Sequence, residues 1–191
     1  MNLTWLRKDR PSLSSARRHS LIHAECPIER TLRSDHADTQ GQLMQEPWSQ
    51  GKRPDGTLFV ADYNGLRLLG RSEGALDAAV EPLQRRFGHR LAADAPSVRY
   101  AFGVPTLEPD MSALINGPGR YLSIVKKDFL WRRGRIKRLN QEDPFILERE
   151  APLANLLGYE RWLRSLMEKD PHVGLWLSRY LPIDDDGPQA A

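Results

Sequence analysis

Seven basic residues and one tryptophan fall within thirteen positions of this chain: Lys126, Lys127, Trp131, Arg132, Arg133, Arg135, Lys137 and Arg138. Ammonium and guanidinium groups at this density suit phosphate oxygens, and an indole among them offers a face on which a base can stack. If residues 135–139 form a strand, Arg135 and Lys137 share one face and Ile136 takes the other. The chemistry available to this stretch is recognition of single-stranded RNA, with all eight residues as candidate contacts. The same residues also read as a solvated charged face with Trp131 packed at a helix end, and the sequence leaves both readings open.

Other groupings offer less. His19, His23, Cys26 and His36 match no spacing of paired zinc ligands, so no metal is expected. Cys26 has no identifiable base beside it, and His89 and His172, at a helix exit and a strand start, read as structural. Asn116-Gly117-Pro118-Gly119 precedes a helix, but Pro118 divides the glycines and no Gly-Lys-Ser/Thr follows. The triplet Asp184, Asp185, Asp186 reads as a solvated acidic terminus. No set of convergent titratable groups emerges, so no cofactor and no catalytic residues are expected, and the chain reads as non-enzymatic.

The elements that must position the basic stretch follow from composition and periodicity. The chain has 191 residues, 40% hydrophobic, with mean hydropathy −0.56, net charge +3 and a pI near 9.2. That length allows one ordinary domain or two small ones, and the charge permits a nucleic-acid partner without requiring one. A single cysteine fits a reducing compartment. No eighteen-residue apolar run and no secretory pattern occur, so the expectation is a cytoplasmic protein with no membrane partner.

Residues 1–53 are rich in Arg, Ser, Gln and His and read as a loosely structured basic extension, with Arg7, Lys8, Arg10, Arg17 and Arg18 clustered near its start. Residues 20–26 suit a short strand and residues 35–45 a helix weakened by Gly41. From 54 the pattern sharpens. Residues 57–63 read as a strand, Asn64-Gly65 as a hairpin turn and residues 66–70 as the returning strand. Ser72 caps a helix whose stripe is Leu76, Ala79, Val80, Leu83 and Phe87, with Gly88 closing it and Pro82 expected to kink or shorten it. Short extended pieces follow at 91–93 and 98–102.

Residues 104–183 form a second module. Residues 111–115 suit a strand; Tyr121, Leu122, Val125, Phe129 and Leu130 give a helix face, with Gly134 as its cap. Strands at 135–139 and 145–150 flank a turn at 140–144. A helix is expected from Pro152 to Met167, and a strand from Val173. The order β-α-β-β-α-β is a split βαβ, or ferredoxin-like, unit. The expected class is α+β with two ferredoxin-like units. The first, at 54–103, lacks a clear opening strand and helix; the second spans 104–183; an acidic tail occupies 184–191.

Short motifs recur in an order that resembles translation elongation factor G. Leu69-Gly70, Glu73, Arg85-Arg86-Phe87-Gly88 and Pro96-Ser97-Val98-Arg99-Tyr100 resemble the second half of that family's third domain. Arg132-Arg133-Gly134-Arg135-Ile136, Pro152-Leu153, Gly158-Tyr159 and Leu163-Arg164-Ser165-Leu166 resemble its fifth. The sequence has no phosphate-loop signature, and nothing between Tyr100 and Leu107 corresponds to the family's fourth domain. The family's Thr-Gln-Gly-Arg loop is replaced by Met167-Glu168-Lys169-Asp170-Pro171. The resemblance implies a non-catalytic module that docks on the ribosome or another RNA, with a separate GTPase chain or another protein as a further partner. The alternative class is a protein-interaction or small-ligand regulatory domain acting as a homo-oligomer.

Overall fold

The computed structural model describes residues 25–45, 56–101, 105–167 and 171–183. The first unit runs β1 (Ile28–Arg33), α1 (Ala37–Gln45), β2 (Leu58–Asp62), β3 (Gly65–Gly70), α2 (Glu73–Phe87), and then the short strands β4 (Ala92–Ala93) and β5 (Ser97–Val98). Its antiparallel sheet has the order β2-β3-β1-β4, with β5 also paired to β1. This is a complete βαββαβ unit, and over residues 28–45 it corrects the expectation of a loosely structured extension. Residues 28–33 and 37–45 supply the opening strand and helix.

The reason lies in β1. Its inward positions are Ile28, Arg30 and Leu32, and the buried Arg30 places its guanidinium 2.7 Å from Asp77 on α2. An arginine at a core-facing position breaks the apolar alternation by which a strand is recognised. Helix α1 buries only Thr39 and Leu43, one turn apart. The cluster Arg7, Lys8, Arg10, Arg17 and Arg18, with His19 and His23, lies outside the described residues. So does most of the 20–26 stretch; its described residues Glu25 and Cys26 are not in a strand.

The β2–β3 hairpin turns one residue earlier than expected. Asp62 pairs with Gly65, so Tyr63 and Asn64 form the loop. Gly65 has φ 138°, and a Cβ there would stand 2.3 Å from the Leu32 carbonyl oxygen, so this position accepts only glycine. Helix α2 matches its periodicity: Ala75 N–H donates to Ser72 Oγ at 3.1 Å, and Leu76, Ala79, Val80 and Leu83 are buried. It also runs unbroken through Pro82. Pro82 and Ala78, whose carbonyl loses its intrahelical donor, both lie on the exposed face where water replaces that bond.

The second unit runs β6 (Leu107–Gly117), α3 (Leu122–Trp131), β7 (Arg135–Asn140), β8 (Phe145–Pro152), α4 (Tyr159–Leu166) and β9 (His172–Pro182). Its antiparallel order is β7-β8-β6-β9. The expected long helix from Pro152 is shorter. Ala151 and Pro152 still pair with Met111 and Asp110, a 3₁₀ turn covers Leu153–Asn155, and Gly158 at φ 74° admits α4 only at Tyr159. Met111, Ile115, Phe145 and Leu147 meet Val125, Phe129, Tyr159 and Leu163 from the helices. This core is continuous with that of the first unit through residues such as Ile28, Leu153 and Leu156. One polar contact also joins the units: the Glu73 carboxylate, in the first turn of α2, accepts the Gly158 N–H at 2.8 Å. It thereby sits at the positive ends of two helices.

Candidate nucleic-acid interface

Helix α3 buries Val125 and Phe129. Its opposite side is unusual for a solvent face: Ile124, Leu130 and Trp131 are exposed, with Trp131 81% accessible. Packing at the helix end therefore does not account for Trp131. Lys127 is exposed beside it and Lys126 half-buried. The helix ends in a Schellman arrangement, with Arg133 N–H donating to the Leu130 carbonyl and Gly134 N–H to the Phe129 carbonyl, each at 3.1 Å. The left-handed residue is Arg133 (φ 57°), not Gly134. Gly134 is needed for a different reason: a Cβ there would fall 1.7 Å from a Phe129 ring carbon. The exposed Arg133 has no ion pair among the described residues.

Arg132 is turned into the protein. Its Nε donates to Asp128 at 2.7 Å and its terminal nitrogen to the Asn155 carbonyl at 2.7 Å, while its guanidinium lies 4.9 Å from the Tyr159 ring centre. Asn155 returns a hydrogen bond to the Arg132 carbonyl at 3.0 Å. These contacts tie the end of α3 to the turn before α4.

Arg135, Lys137 and Arg138 lie on β7, an edge strand, and address the sheet face away from the helices. The register shifts between Ile136 and Arg138, leaving Lys137 as a bulged residue without a partner on β8. A second bulge leaves Ser178 unpaired between Leu177 and Arg179 on β9. Bulges re-aim side chains, and both of these converge on Glu150. Glu150 accepts from Lys137, from Ser178 Oγ at 2.9 Å and from Arg179 at 3.1 Å; Arg135 stands 3.8 Å away. Beside it Asp110 is held by Arg135 at 3.3 Å and Arg179 at 3.4 Å. Both carboxylates are almost fully covered, at 3% and 2% exposure, although they sit on the outer face. The Lys137 hydrogen bond, helped by Ser178 and Arg179, pulls the Glu150 carboxyl below its ordinary range. Burial, reinforced by the Glu150 charge, pushes Asp110 above its own.

On the other face of the same strand, Arg149 is fully buried. Its guanidinium lies 4.0 Å from the Phe129 ring centre and makes no hydrogen bond within the described residues; the Tyr159 hydroxyl is likewise unpaired. Burial lowers the Arg149 pKa to about 10 and pushes the Tyr159 phenol up.

The eight sequence-predicted residues thus separate by element and by occupancy. Lys126, Lys127 and Trp131 are on the helix layer, Arg133 is at its end, and Arg138 is on the edge strand. The four cations among these form no ion pair within the described residues. Arg132, Arg135 and Lys137 are engaged with Asp128, Asp110 and Glu150. Asp110, Glu150, Ser178, Arg179 and Arg149 were not singled out from sequence. An exposed-strand alternation at Glu148 and Glu150 was the available signal, but bulges leave no periodic trace. Cys26 is buried, with its thiol 3.8 Å from the Gly56 carbonyl, and His89 and His172 are exposed. Among the described residues no group of His, Cys, Asp and Glu could hold a metal ion, and no helix is long and apolar enough to cross a membrane.

Two ferredoxin-like units packed through a shared core define the α+β class to which this chain conforms. The fold is shared with a crystal structure of a protein from Thermus thermophilus, at a TM-score of 0.59 and 15% identity over 84% of this chain and 41% of that one. In sequence the chain is similar to part of elongation factor G. It is 30% identical over 78 residues to elongation factor G 1 of Desulfotalea psychrophila and 33% identical over 79 residues to elongation factor G 2 of Anaeromyxobacter dehalogenans, in each case 40% of this chain. It is 35% identical over 83 residues, 43% of its length, to the mitochondrial ribosome-releasing factor 2 of Danio rerio. The matched stretch spans 11% of each of these relatives. No family model matches the chain.

Proposed function

We propose that this chain is a non-catalytic, elongation factor G-like docking module, and that it engages ribosomal RNA along the edge formed by α3 and β7. The single observation that carries this reading is Trp131, which stands 81% exposed beside Lys127, with Arg133, unpaired among the described residues, two positions on. An indole held in water by a rigid helix costs solubility, and a stacking base offsets that cost. The contacts are Lys126, Lys127, Trp131, Arg133 and Arg138. Arg135 and Lys137 support the sheet face through Glu150 and Asp110 and enter contact only by leaving those carboxylates, while Arg132 fixes the α3–α4 corner. The similarity to elongation factors and to a factor named for ribosome release supports the ribosome as the particle bound.

Co-sedimentation tests this. Wild-type protein is expected to pellet with ribosomes, and the variant Lys126→Ala/Lys127→Ala/Trp131→Ala/Arg133→Ala to remain in the supernatant. Arg85→Ala/Arg86→Ala, at the last turn of α2, serves as a control for loss of basic charge elsewhere and is expected to pellet. Equal pelleting of all three proteins, or of none, removes the proposal.

A further inference from the structure

We propose that a single-stranded RNA held at the α3–β7 edge continues across the outer face of the second sheet, where Arg138 takes a phosphate and Trp176 stacks a base. This rests on the RNA-binding reading above and adds to it a second, separate point of contact. Three observations carry it. First, the strand register sets Arg138 and the indole in one row. Across the sheet Arg138 is opposite Glu148, Glu148 is opposite Leu114 and Leu114 is opposite Gly174. Trp176 lies two residues on from Gly174 and shares its face. The benzo ring reaches back toward Gly174, where a Cβ would stand 3.6 Å from ring carbon Cζ3 and 4.0 Å from the Leu114 Cβ. The row crosses three strand spacings, about 14 Å from Arg138 to Gly174, which a short single-stranded segment spans.

Second, the face offers a ring to stack on. Trp176 is 45% accessible, and Leu114 and Ile146 on the adjoining strands are exposed as well. A four-stranded sheet with exposed aromatics holds single-stranded RNA by stacking its unpaired bases. The ring also borders a cleft of about 270 Å³ with Leu175, Leu177, Glu25 and Arg71, so a base against the indole meets apolar walls and the Glu25–Arg71 ion pair.

Third, the charge on the face suits phosphate. The side chains of Asp110 and Glu150 are only 2% and 4% accessible, whereas the cations over them, Arg135, Lys137 and Arg179, keep 62%, 44% and 48% of theirs. A ligand lying there meets the cations and not the carboxylates they neutralise. Arg138, exposed and without an ion pair among the described residues, is the cation left for a phosphate. Glu148, partly buried in the same row, works against it. This pattern favours an anionic strand over an apolar partner.

Fluorescence anisotropy on the full chain tests the proposal, with labelled oligouridylates of about four and about twelve nucleotides. Trp176→Ala is expected to weaken the longer RNA about tenfold and to leave the shorter one, held at the α3–β7 edge, unchanged. Trp176→Phe, which keeps a stacking ring, is expected to restore most of that loss, and Glu148→Gln to tighten the longer RNA. Tyr63→Ala, which removes an exposed ring at the β2–β3 turn, is expected to change neither. Trp131→Ala is expected to weaken both lengths, which separates the two readings. If it does so while Trp176→Ala leaves the longer RNA unaffected, the extension across the sheet is overturned and the edge stands. If wild type binds neither length, both readings fall. Equal loss on both lengths in Trp176→Ala overturns the extension, because the change has then acted on the edge. Ribosome pelleting lost in Trp176→Ala while the longer RNA binds as before overturns it as well, and assigns the face to a protein.

Discussion

The occupancy of the basic residues sets how strongly the proposed RNA binding should respond to salt. Each phosphate neutralised by a single-stranded ligand contributes about 0.7 to the slope of log affinity against log salt. Lys126, Lys127, Arg133 and Arg138 are unpaired among the described residues, so the expected slope is about −2.8, and raising salt fourfold should weaken binding about fiftyfold. If Arg132, Arg135 and Lys137 contributed as well, the slope would approach about −5 and the loss about a thousandfold. Fluorescence anisotropy of a labelled single-stranded RNA, titrated between about 50 and 200 mM salt, separates the two. Arg133→Ala should reduce the slope by about 0.7, and Trp131→Ala should lower affinity by about 1–3 kcal/mol with the slope unchanged. Arg135→Ala should leave the slope where it is, because its charge is already committed to Asp110. A slope near −5, or an Arg135→Ala effect equal to that of Arg133→Ala, refutes the division into free and engaged cations. A slope near zero refutes the interface.

Three further outcomes follow from the packing. Arg149→Met should be neutral or stabilising by about 1–2 kcal/mol. A guanidinium pKa lowered to about 10 corresponds to a desolvation cost of about 3 kcal/mol, of which the Phe129 face returns about 2; urea unfolding of both proteins decides, and a loss above about 1 kcal/mol would show a partner for that charge. Because the folded pKa is depressed, this cost is present below about pH 10 and is relieved as pH rises through it. Gly134→Ala forces a methyl into the Phe129 ring and should cost about 3 kcal/mol in a thermal melt, with α3 the first element to lose protection; a cost below about 1 kcal/mol contradicts the close approach. Glu150→Gln should lower stability at neutral pH by about 1–2 kcal/mol. The folded carboxyl is depressed, so its share of stability is present above the ordinary glutamate range and is lost as pH falls through the lower folded value. The difference between Glu150→Gln and wild type should therefore close only below that range, as read by unfolding at a series of acidic pH values. A constant difference down to the most acidic point would show that Glu150 does not depend on its cations.

What was legible in the sequence is what obeys a single period. Helix α2 announces itself because Ser72, Leu76, Ala79, Val80 and Leu83 satisfy cap and stripe at once. The second unit follows from ordered strands and turns. The first unit was half-hidden because Arg30 occupies an inward strand position, a choice explained only by Asp77, forty-seven residues away. The extent of α4 was overstated because Leu153 and Leu156 keep helical spacing while being buried from a 3₁₀ turn and its exit. For the interface, the residue types were legible and their engagement was not. Whether Arg132 points to solvent depends on Asn155 and Tyr159, and whether Lys137 is free depends on a bulge that places it over Glu150. Such long-range pairings leave no local mark in the order of residues.

The most direct measurement is a photo-crosslink from position 131. With Trp131 replaced by benzoylphenylalanine and the protein bound to purified ribosomes, irradiation is expected to give an adduct with ribosomal RNA, sensitive to ribonuclease and absent when Lys127 and Arg133 are both replaced by alanine. An adduct confined to protein, or the same RNA adduct after loss of those two cations, would contradict the account.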